Sequence, residues 1–282
     1  MSTSKHSTDS HEETPPCRPR IGDPLGRALM IHGGFRHERQ FPLYIERDDG
    51  LIIEIDIGAF LQDEADWAER YRWALSRSTG RVLDIGGGAG QHALALQQRG
   101  LSVLVTDTSQ GALEVCAVRG IEHTALVSID ETPKALSTYT FETILLLGQN
   151  VGLLATPDKA ISILRSFRDL ATPETRILCD TVEPLAMCAF SKPYVQRNLE
   201  AGRYPGQARY RLRWRDLGTE WFDYIYLTYE ELKLLADESG WVIADTYHEG
   251  AAYCATLELR NEREKSRAGT AATRTRSRQV IS

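Results

Sequence analysis

Short apolar runs alternate with amphipathic stretches along most of the chain, and several amphipathic stretches end at a glycine. RVLDIG (81–86) has the pattern of a buried strand, and AGQHALALQQRG after it predicts a helix that ends at Gly100. Similar apolar runs predict further strands at 101–107, 122–127, 141–148 and 175–182. Strands that alternate with helices indicate an α/β fold, with a mainly parallel Rossmann-like sheet and helices on both faces.

Helical spacing and capping residues predict the helices that flank these strands. EADWAERYRWALSRSTG carries an apolar stripe through Trp67, which predicts a helix from residue 63 that ends before Gly80. Thr156 followed by proline is a typical helix start. Thr228, with a glutamate three residues later, forms a capping box for the last helix.

The last two apolar runs differ from the others because no helix separates them. WVIADTYHE (241–249) and AAYCATLELR (251–260) meet at Gly250, which leaves no room for a helical crossover. They therefore predict an antiparallel hairpin that completes a seven-stranded sheet. A nicotinamide-binding Rossmann domain normally ends on another parallel strand.

Two segments do not follow the alternation of strands and helices. Residues 183–227 contain RYRLRWR and EWFDYIYL, which predict an inserted β-hairpin with one aromatic and one cationic face. We expect the arginines to be solvated, and the aromatic face fits a substrate-binding surface or a small core equally well. Residues 21–62 precede the predicted 63–260 domain and are expected to act as a lid that excludes water.

Composition narrows the class of protein. The 282 residues carry a formal net charge of −6, which gives no general basic field for nucleic acid. No apolar stretch reaches the roughly 18 to 20 residues of a membrane span, and the first twenty residues contain no apolar signal core. The polar tails, 1–20 and 261–282, are predicted to be disordered, and the second is basic. The five cysteines form no CxxC pair, and three of them lie in apolar patterns: Cys116, Cys179 and Cys254. We therefore expect free, buried thiols and a cytoplasmic location.

The stretch DIGGGAGQHA, which begins at Asp84, admits two interpretations. Gly88, Gly90 and Ala93 satisfy a loose dinucleotide pattern, G-x-G-x-x-A. The other register gives D-x-G-x-G-x-G, in which glycines let a nucleoside approach the backbone closely. Asp107 ends the second strand, where a carboxylate can accept both ribose hydroxyls. A carboxylate has that role in dinucleotide-binding folds too, so Asp107 supports nucleoside binding and does not distinguish between the two interpretations.

Taken in order, the glycine loop, Asp107, the strand FETILLLG and the closing hairpin resemble the class I S-adenosylmethionine-dependent methyltransferases over residues 60–260. The run GAGQHALALQQRGLSVLVTDTSQGALEVCAVRGI looks particularly like small-molecule methyltransferases of bacterial type. No D/N-P-P-Y/F sequence follows the fourth strand, which argues against nucleic-acid bases and protein glutamine as substrates.

The resemblance implies a set of site residues. Asp84 would favour the ammonium group of the ligand or orient the loop amides, and Asp130 would contact the adenine amine. The implied cofactor-binding residues are Asp84, Gly86, Gly87, Gly88, Gly90, Asp107, Thr108, Asp130, Gly148, Gln149 and Asn150. The expected acceptor-binding residues are Tyr204, Trp221 and Tyr224, and the candidates for a catalytic base are His32, His248 and Tyr224.

The resemblance further implies S-adenosylmethionine as cofactor and methyl transfer to oxygen or nitrogen of a small, natural-product-like aromatic acceptor. A peptide or protein methyltransferase and a nicotinamide oxidoreductase are the alternatives. No metal, nucleic-acid or membrane partner is expected. Asp180 with Glu183 is the one pair of acids considered as metal ligands, and we expect both to be structural. The sequence leaves the oligomeric state open.

Overall fold

The computed structural model describes residues 19–187 and 189–260, so the predicted disorder at the two termini concerns residues that lie almost wholly outside this range. The strands are β1 (Arg20–Ile21), β2 (Leu43–Arg47), β3 (Ile52–Ile55), β4 (Arg81–Ile85), β5 (Ser102–Asp107), β6 (His123–Leu126), β7 (Phe141–Leu146), β8 (Ala171–Val182), β9 (Gln207–Trp214), β10 (Leu217–Gly218), β11 (Phe222–Ile225), β12 (Trp241–Glu249) and β13 (Ala252–Leu259). The helices are α1 (Pro24–His32), α2 (Glu69–Leu75), α3 (Gln91–Gln98), α4 (Gln110–Val118), α5 (Thr132–Ala135), α6 (Pro157–Ser166), α7 (Lys192–Glu200) and α8 (Tyr229–Ser239).

The larger sheet confirms the predicted architecture. Its seven strands run in the order β12-β13-β8-β7-β4-β5-β6, with β4 to β8 mutually parallel. β13 runs antiparallel to both of its neighbours, β8 and β12. β4 and β7 lie in the middle and are buried on both faces, as their continuous apolar sequences require. The carboxyl ends of β4, β5 and β7 therefore meet at one edge, where α/β sheets bind ligands.

Helices cover both faces of this sheet and complete its core. α6 and α8 pack together on one face, around buried residues such as Phe167 and Trp241. Trp67, Leu96 and Leu113 belong to the core on the other face. The predicted free buried thiols are confirmed for Cys116, Cys179 and Cys254, while Cys17 and Cys188 lie outside the described residues.

A second sheet forms from the two segments that interrupted the alternation. Its order is β1-β10-β9-β2-β3, and β11 also pairs with β9. The predicted inserted hairpin is thus present, but its long strand β9 also pairs antiparallel with β2 of the N-terminal segment. The sequence pattern predicted the hairpin and did not predict this pairing.

Two details differ from the sequence expectations. The arginines at 211 and 213 are not solvated, because both make ion pairs with Glu46 of β2, at 2.8 and 2.9 Å. The helix expected from residue 63 begins as a short 3₁₀ turn, Glu64–Asp66, before α2. Within the described residues, no helix combines the length and the apolar character that crossing a bilayer requires.

α1 of the N-terminal segment is fixed to α4, the helix that follows Asp107. The carboxylate of Asp23 accepts hydrogen bonds from Gly26 N, Ser109 Oγ and Gly111 N. A Cβ on Gly26 would lie 2.5 Å from the Cα of Gly111, so the two backbones touch. The N-terminal segment is therefore packed against the part of the main sheet that carries Asp107 and α4.

Candidate active site

The loop after β4 contains three glycines with left-handed backbone. The φ angle is +66° at Gly86, +55° at Gly88 and +71° at Gly90, a region that residues with a Cβ rarely adopt. A Cβ at Gly86 would lie 2.9 Å from Asn150 Nδ2, and one at Gly90 would lie 3.0 Å from Cys116 Sγ. Asn150 Nδ2 also donates to two carbonyl oxygens at the start of the loop. Side chains are thus excluded by the protein's own atoms as well as by any ligand.

The acid that precedes the loop lies beneath it. Asp84 is 2% exposed and lines neither of the two cavities described below. A Cβ on Gly87 would lie 2.9 Å from its Oδ2. Burial, and the carboxylate of Asp107 nearby, raise the pKa of Asp84 to about 7. Of the two roles expected for Asp84, this position fits orientation of the loop better than contact with a ligand.

The acid that ends β5 lies on the ligand side of the loop. Asp107 accepts hydrogen bonds from the backbone N–H groups of Gly88 (2.9 Å) and Ser109 (2.8 Å). Burial raises its pKa, although these hydrogen bonds act in the opposite direction. A carboxylate has about four lone-pair sites, so Asp107 can still accept hydrogen bonds from a ligand.

A cavity of about 820 Å³, the larger cavity, opens at the carboxyl edge of the main sheet. Three groups of predicted cofactor residues meet in it, namely Gly86 and Gly88 of the loop, Asp107 with Thr108, and the segment 148–150 after β7. Asp130 also lines this cavity, and its carboxylate is paired with Lys159 Nζ at 2.6 Å.

One face of the second sheet lines the opposite side of the larger cavity. Two cross-strand pairs contribute, Ile45 with Leu212 and Tyr210 with Phe222. Phe60, from the N-terminal segment, lies between this sheet and the glycine loop, since a Cβ on Gly88 would be 3.3 Å from its ring. The side of the cavity away from the main sheet is therefore mainly apolar and aromatic.

The three predicted acceptor residues have different positions. Trp221 lines the larger cavity, and the guanidinium of Arg211 lies over its ring, 4.6 Å from the centroid. Tyr224 also lines it, but its hydroxyl donates to the carbonyl oxygen of Gln149 at 2.5 Å. Tyr204 lines neither cavity and packs against the core near Gly206.

The two predicted histidines are exposed and lie outside the lining of both cavities. His32 ends α1, with its Nε2 near Gly58. His248 stacks on Tyr253 across the final hairpin, with ring centroids 5.4 Å apart. The structure does not bring either imidazole to the place where the loop, Asp107 and the aromatic side chains meet.

A smaller cavity of about 330 Å³ lies on the other side of the glycine loop and shares Gly86, Gly148 and Asn150 with the larger one. Arg70 and Tyr71 of α2 line it, together with Gln91 and His92 at the start of α3. Three buried polar atoms here make no hydrogen bond within the described part of the chain, namely Arg70 Nε, Gln91 Oε1 and His92 Nε2. Burial lowers the pKa of His92 to about 4, so its ring is neutral at pH 7.

Asp180 is buried beneath the point where the two cavities meet. Its carboxylate accepts hydrogen bonds from the backbone N–H of Gln149 (2.7 Å) and the hydroxyl of Tyr71 (3.2 Å), and it lies 3.8 Å from Arg70 Nε. Glu183, in contrast, accepts a hydrogen bond from the backbone N–H of Tyr229. Across the residues that the structure describes, no three His, Cys, Asp or Glu side chains are grouped so that they could hold a metal ion.

Comparisons with known proteins agree with this geometry. A solved S-adenosylmethionine-dependent methyltransferase from Bacteroides fragilis, in complex with S-adenosyl-L-homocysteine, superposes with a TM-score of 0.72. It is 26% identical, and the match covers 85% of this chain and 95% of that one. DesVI from Streptomyces venezuelae shares the fold at a TM-score of 0.52 and 12% identity, over 74% of this chain and the whole of its own.

The chain has the class I S-adenosylmethionine-dependent methyltransferase fold. A curated relative, the O-methyltransferase gsfB from Penicillium aethiopicum, is 29% identical over 219 residues, which is 72% of this chain. The chain spans about half the length of this relative, 50%. No protein-family model matches the sequence.

Four residues that line the smaller cavity do not appear among the residues predicted from the sequence: Arg70, Tyr71, Gln91 and His92. Gln91 and His92 directly follow the last loop glycine, a position that could have been recognised because α3 must begin there. Arg70 lies on the polar side of the predicted helical stripe, where an arginine is usually solvated. Its partner Asp180 is far away in the sequence, so no local pattern indicated the contact.

Proposed function

We propose that the chain is a methyltransferase that transfers a methyl group from S-adenosylmethionine to an oxygen or nitrogen atom of a small molecule. The observation that carries this proposal is the pair of cavities that meet at Gly86. The small cavity contains buried polar atoms that make no hydrogen bond within the described residues, and the large cavity is mainly aromatic on one side. A sulfonium that lay beside Gly86 would have its amino-acid group on one side of the loop and its nucleoside on the other.

The smaller cavity fits the amino-acid end of the cofactor. Such a group carries one carboxylate and one ammonium, which need a cationic donor and neutral acceptors. The guanidinium of Arg70 is the cationic donor: its Nη1 already pairs with Glu249 at 2.7 Å, but its Nε makes no hydrogen bond within the described residues. Gln91 Oε1 and the neutral imidazole of His92 are the neutral acceptors. Because a buried polar atom without a hydrogen bond costs stability, these atoms gain most from a ligand that pairs with them.

The larger cavity fits the nucleoside on the side of the main sheet. Asp107 can accept hydrogen bonds from the ribose hydroxyls while it holds the loop through Gly88. Ser128 and Ile129, which follow β6, line the same part of the cavity and can contact a base. Asp130, predicted to bind the adenine amine, is within reach there although Lys159 already pairs with it.

The remaining part of the larger cavity fits the acceptor. Its second-sheet side offers the ring of Phe222 and the aliphatic surface of Leu212, against which a flat aromatic molecule can stack. The printed activity of the curated relative, an O-methyltransferase, favours oxygen as the methylated atom. We therefore propose a hydroxylated aromatic compound as the acceptor.

When bound, the cofactor supplies an electrophilic methyl on a sulfonium; the C–S bond breaks as the new bond forms, and the electron pair stays on sulfur. The chain would hold the methyl donor in line with the acceptor. Asp107 and Arg70 would bind the two ends of the cofactor, and Phe222 would lie beside the acceptor. Positioning of this kind can supply roughly 7 to 11 kcal/mol of the barrier. Phe60 and the N-terminal segment exclude water from the meeting point.

A dedicated base is not part of this proposal. His32 and His248 lie outside the cavities, and the hydroxyl of Tyr224 is donated to a backbone carbonyl. Burial also raises the pKa of Tyr224. We propose that the acceptor hydroxyl loses its proton to solvent before the acceptor enters the cavity, so that the rate of transfer depends on proximity.

Calorimetry with S-adenosylhomocysteine and with NAD⁺ tests the choice of cofactor. We expect binding of S-adenosylhomocysteine and none of NAD⁺, and the reverse result would favour a nicotinamide oxidoreductase.

Incubation with labelled S-adenosylmethionine and a panel of phenols, aromatic amines and peptides tests the identity of the acceptor. Label on phenols supports the proposal, whereas label confined to peptides would indicate a peptide methyltransferase.

A further inference from the structure

The backbone of Gln149 has an unfavourable conformation at the point where the two cavities meet. Its φ is +66°, one of few positive values for a residue other than glycine in the described chain. Left-handed backbone is costly for a residue with a Cβ, and such strain persists only where the surroundings enforce it. Gln149 lines the larger cavity, while its neighbours Gly148 and Asn150 line both.

Hydrogen bonds fix the peptide groups on both sides of Gln149. Its N–H donates to the buried carboxylate of Asp180 at 2.7 Å, and its carbonyl oxygen accepts from the Tyr224 hydroxyl at 2.5 Å. The same carbonyl oxygen accepts the N–H of Gly152 at 2.9 Å. Asp180 also accepts from Tyr71, which lines the smaller cavity. These bonds therefore connect residues of both cavities.

We propose that Tyr224 is a positioning residue, whose hydroxyl fixes the Gln149 peptide and thereby couples the second sheet to the glycine loop. The effect of this positioning on methyl transfer rests on the proposed function. Tyr224 belongs to β11 of the inserted hairpin, and Gln149 precedes Asn150, whose side chain holds the loop at Gly86. A displacement of β11 by the acceptor is transmitted through this hydrogen bond to the glycine loop.

The ring and the hydroxyl of Tyr224 have separable roles. A Cβ on Gly152 would lie only 1.9 Å from Tyr224 Cζ, so the ring packs directly against the backbone of that glycine. Tyr224→Phe keeps this packing and removes only the hydrogen bond to Gln149. Tyr253→Phe is a matched control, because the Tyr253 hydroxyl also donates to a backbone carbonyl, that of Leu227, but lies outside both cavities.

The test measures amide hydrogen exchange at Gln149 and Gly152 in the full chain, without cofactor. With one hydrogen bond lost, Tyr224→Phe is expected to increase exchange at these amides about five-fold or more, and Tyr253→Phe to leave them unchanged. Affinity for S-adenosylhomocysteine, measured by calorimetry, should fall about three- to ten-fold in the first variant alone. Exchange at the parental rate in Tyr224→Phe would overturn the inference.

Two readouts keep the inference separate from the proposed function. If the parent chain does not bind S-adenosylhomocysteine but Tyr224→Phe still exchanges faster at Gln149, the proposed function fails and the fixed peptide stands. If Tyr224→Phe does not fold, the hydroxyl proton of Tyr224 in the parent, observed by NMR, decides. A hydroxyl proton that exchanges slowly with solvent and shows a nuclear Overhauser effect to the Gly152 amide supports the inference, because both groups donate to the carbonyl oxygen of Gln149. A hydroxyl proton that exchanges as fast as that of the exposed Tyr139 contradicts it.

Discussion

The glycine loop and the second sheet form opposite sides of one cavity, and they depend on different kinds of sequence information. The loop, its two acids and its flanking strands all lie within residues 81–107. The second sheet joins strands whose paired residues are far apart, such as Glu46 and Arg211, which are 165 positions apart. The side proposed to bind the cofactor is therefore determined by local backbone requirements, and the side proposed to bind the acceptor by pairing between distant segments.

Because of this difference, substitutions on the two sides of the cavity should have different effects. Substitutions in the loop act directly through φ angles and close contacts, so single atoms matter there. On the second sheet, side chains contribute surface to a cavity whose shape is set by the pairing of β2 with β9. Changes there should alter the acceptor site by degrees and leave the cofactor site largely intact.

The largest effect is expected for Gly88→Val. The φ of +55° and the ring of Phe60, 3.3 Å from a Cβ at this position, leave no room for both a side chain and a ligand. We expect calorimetry to detect no binding of S-adenosylhomocysteine. Gly100→Val is the control, because Gly100 has a φ of +85° with nothing within 4 Å of its Cβ. Both variants should lose about 1 to 2 kcal/mol of stability from backbone strain, and equal binding by both would contradict the cavity assignment.

The next largest effect is expected for Asp107→Ala. This change removes a carboxylate that holds Gly88 N and is positioned to accept ribose hydroxyls. Affinity for S-adenosylhomocysteine should fall about ten- to a hundred-fold, as is typical for charge-assisted hydrogen bonds. Asp245→Ala, on the exposed side of β12 where Asp245 pairs with Arg77, should bind like the parent. Unchanged affinity in Asp107→Ala would show that the nucleoside lies elsewhere.

The same contrast explains how much the sequence could predict. The alternation of strands and helices along the chain, the closing hairpin and the position of the glycine loop follow from periodicity and turn residues, and the structure confirms them. The partners of the inserted hairpin could not be predicted, because β2 has no local signal that specifies β9. For the same reason the arginine at 211 was expected in solvent, whereas Glu46 pairs with it.

The predicted residues of the glycine loop and those of the inserted segment likewise differ in how well their positions follow from the sequence. Gly86, Gly88 and Asp107 line the cavity where the motif places them. The aromatic character of Tyr204 does not bring it into the site, because it lines neither cavity. Phe222, which the sequence analysis does not single out, alternates with Tyr224 along β11 and so shares its face.

A smaller effect, confined to the acceptor, is expected for Phe222→Ala. The ring is half-buried in the larger cavity, so its loss should raise the acceptor KM about ten-fold, from roughly 1.5 kcal/mol of apolar contact. Steady-state kinetics with a phenol that accepts label would measure this, with cofactor affinity as the internal reference. Phe35→Ala is the control, since Phe35 packs near α1 outside the cavity lining. An equal loss of cofactor affinity in Phe222→Ala would mean that the two sides are not separable.

The smallest effect is expected for His32→Ala and His248→Ala. Both imidazoles are exposed and line neither cavity, so a reaction that depends on positioning should not need them. Loss of a general base typically costs about 100-fold or more in rate, whereas we expect kcat to change less than about three-fold. The measurement is the rate of label transfer to a phenol at saturating cofactor, with calorimetry to verify that cofactor binding is intact. A variant that binds the cofactor normally but transfers no methyl would show that the N-terminal segment or the final hairpin moves during the reaction to bring its histidine to the acceptor.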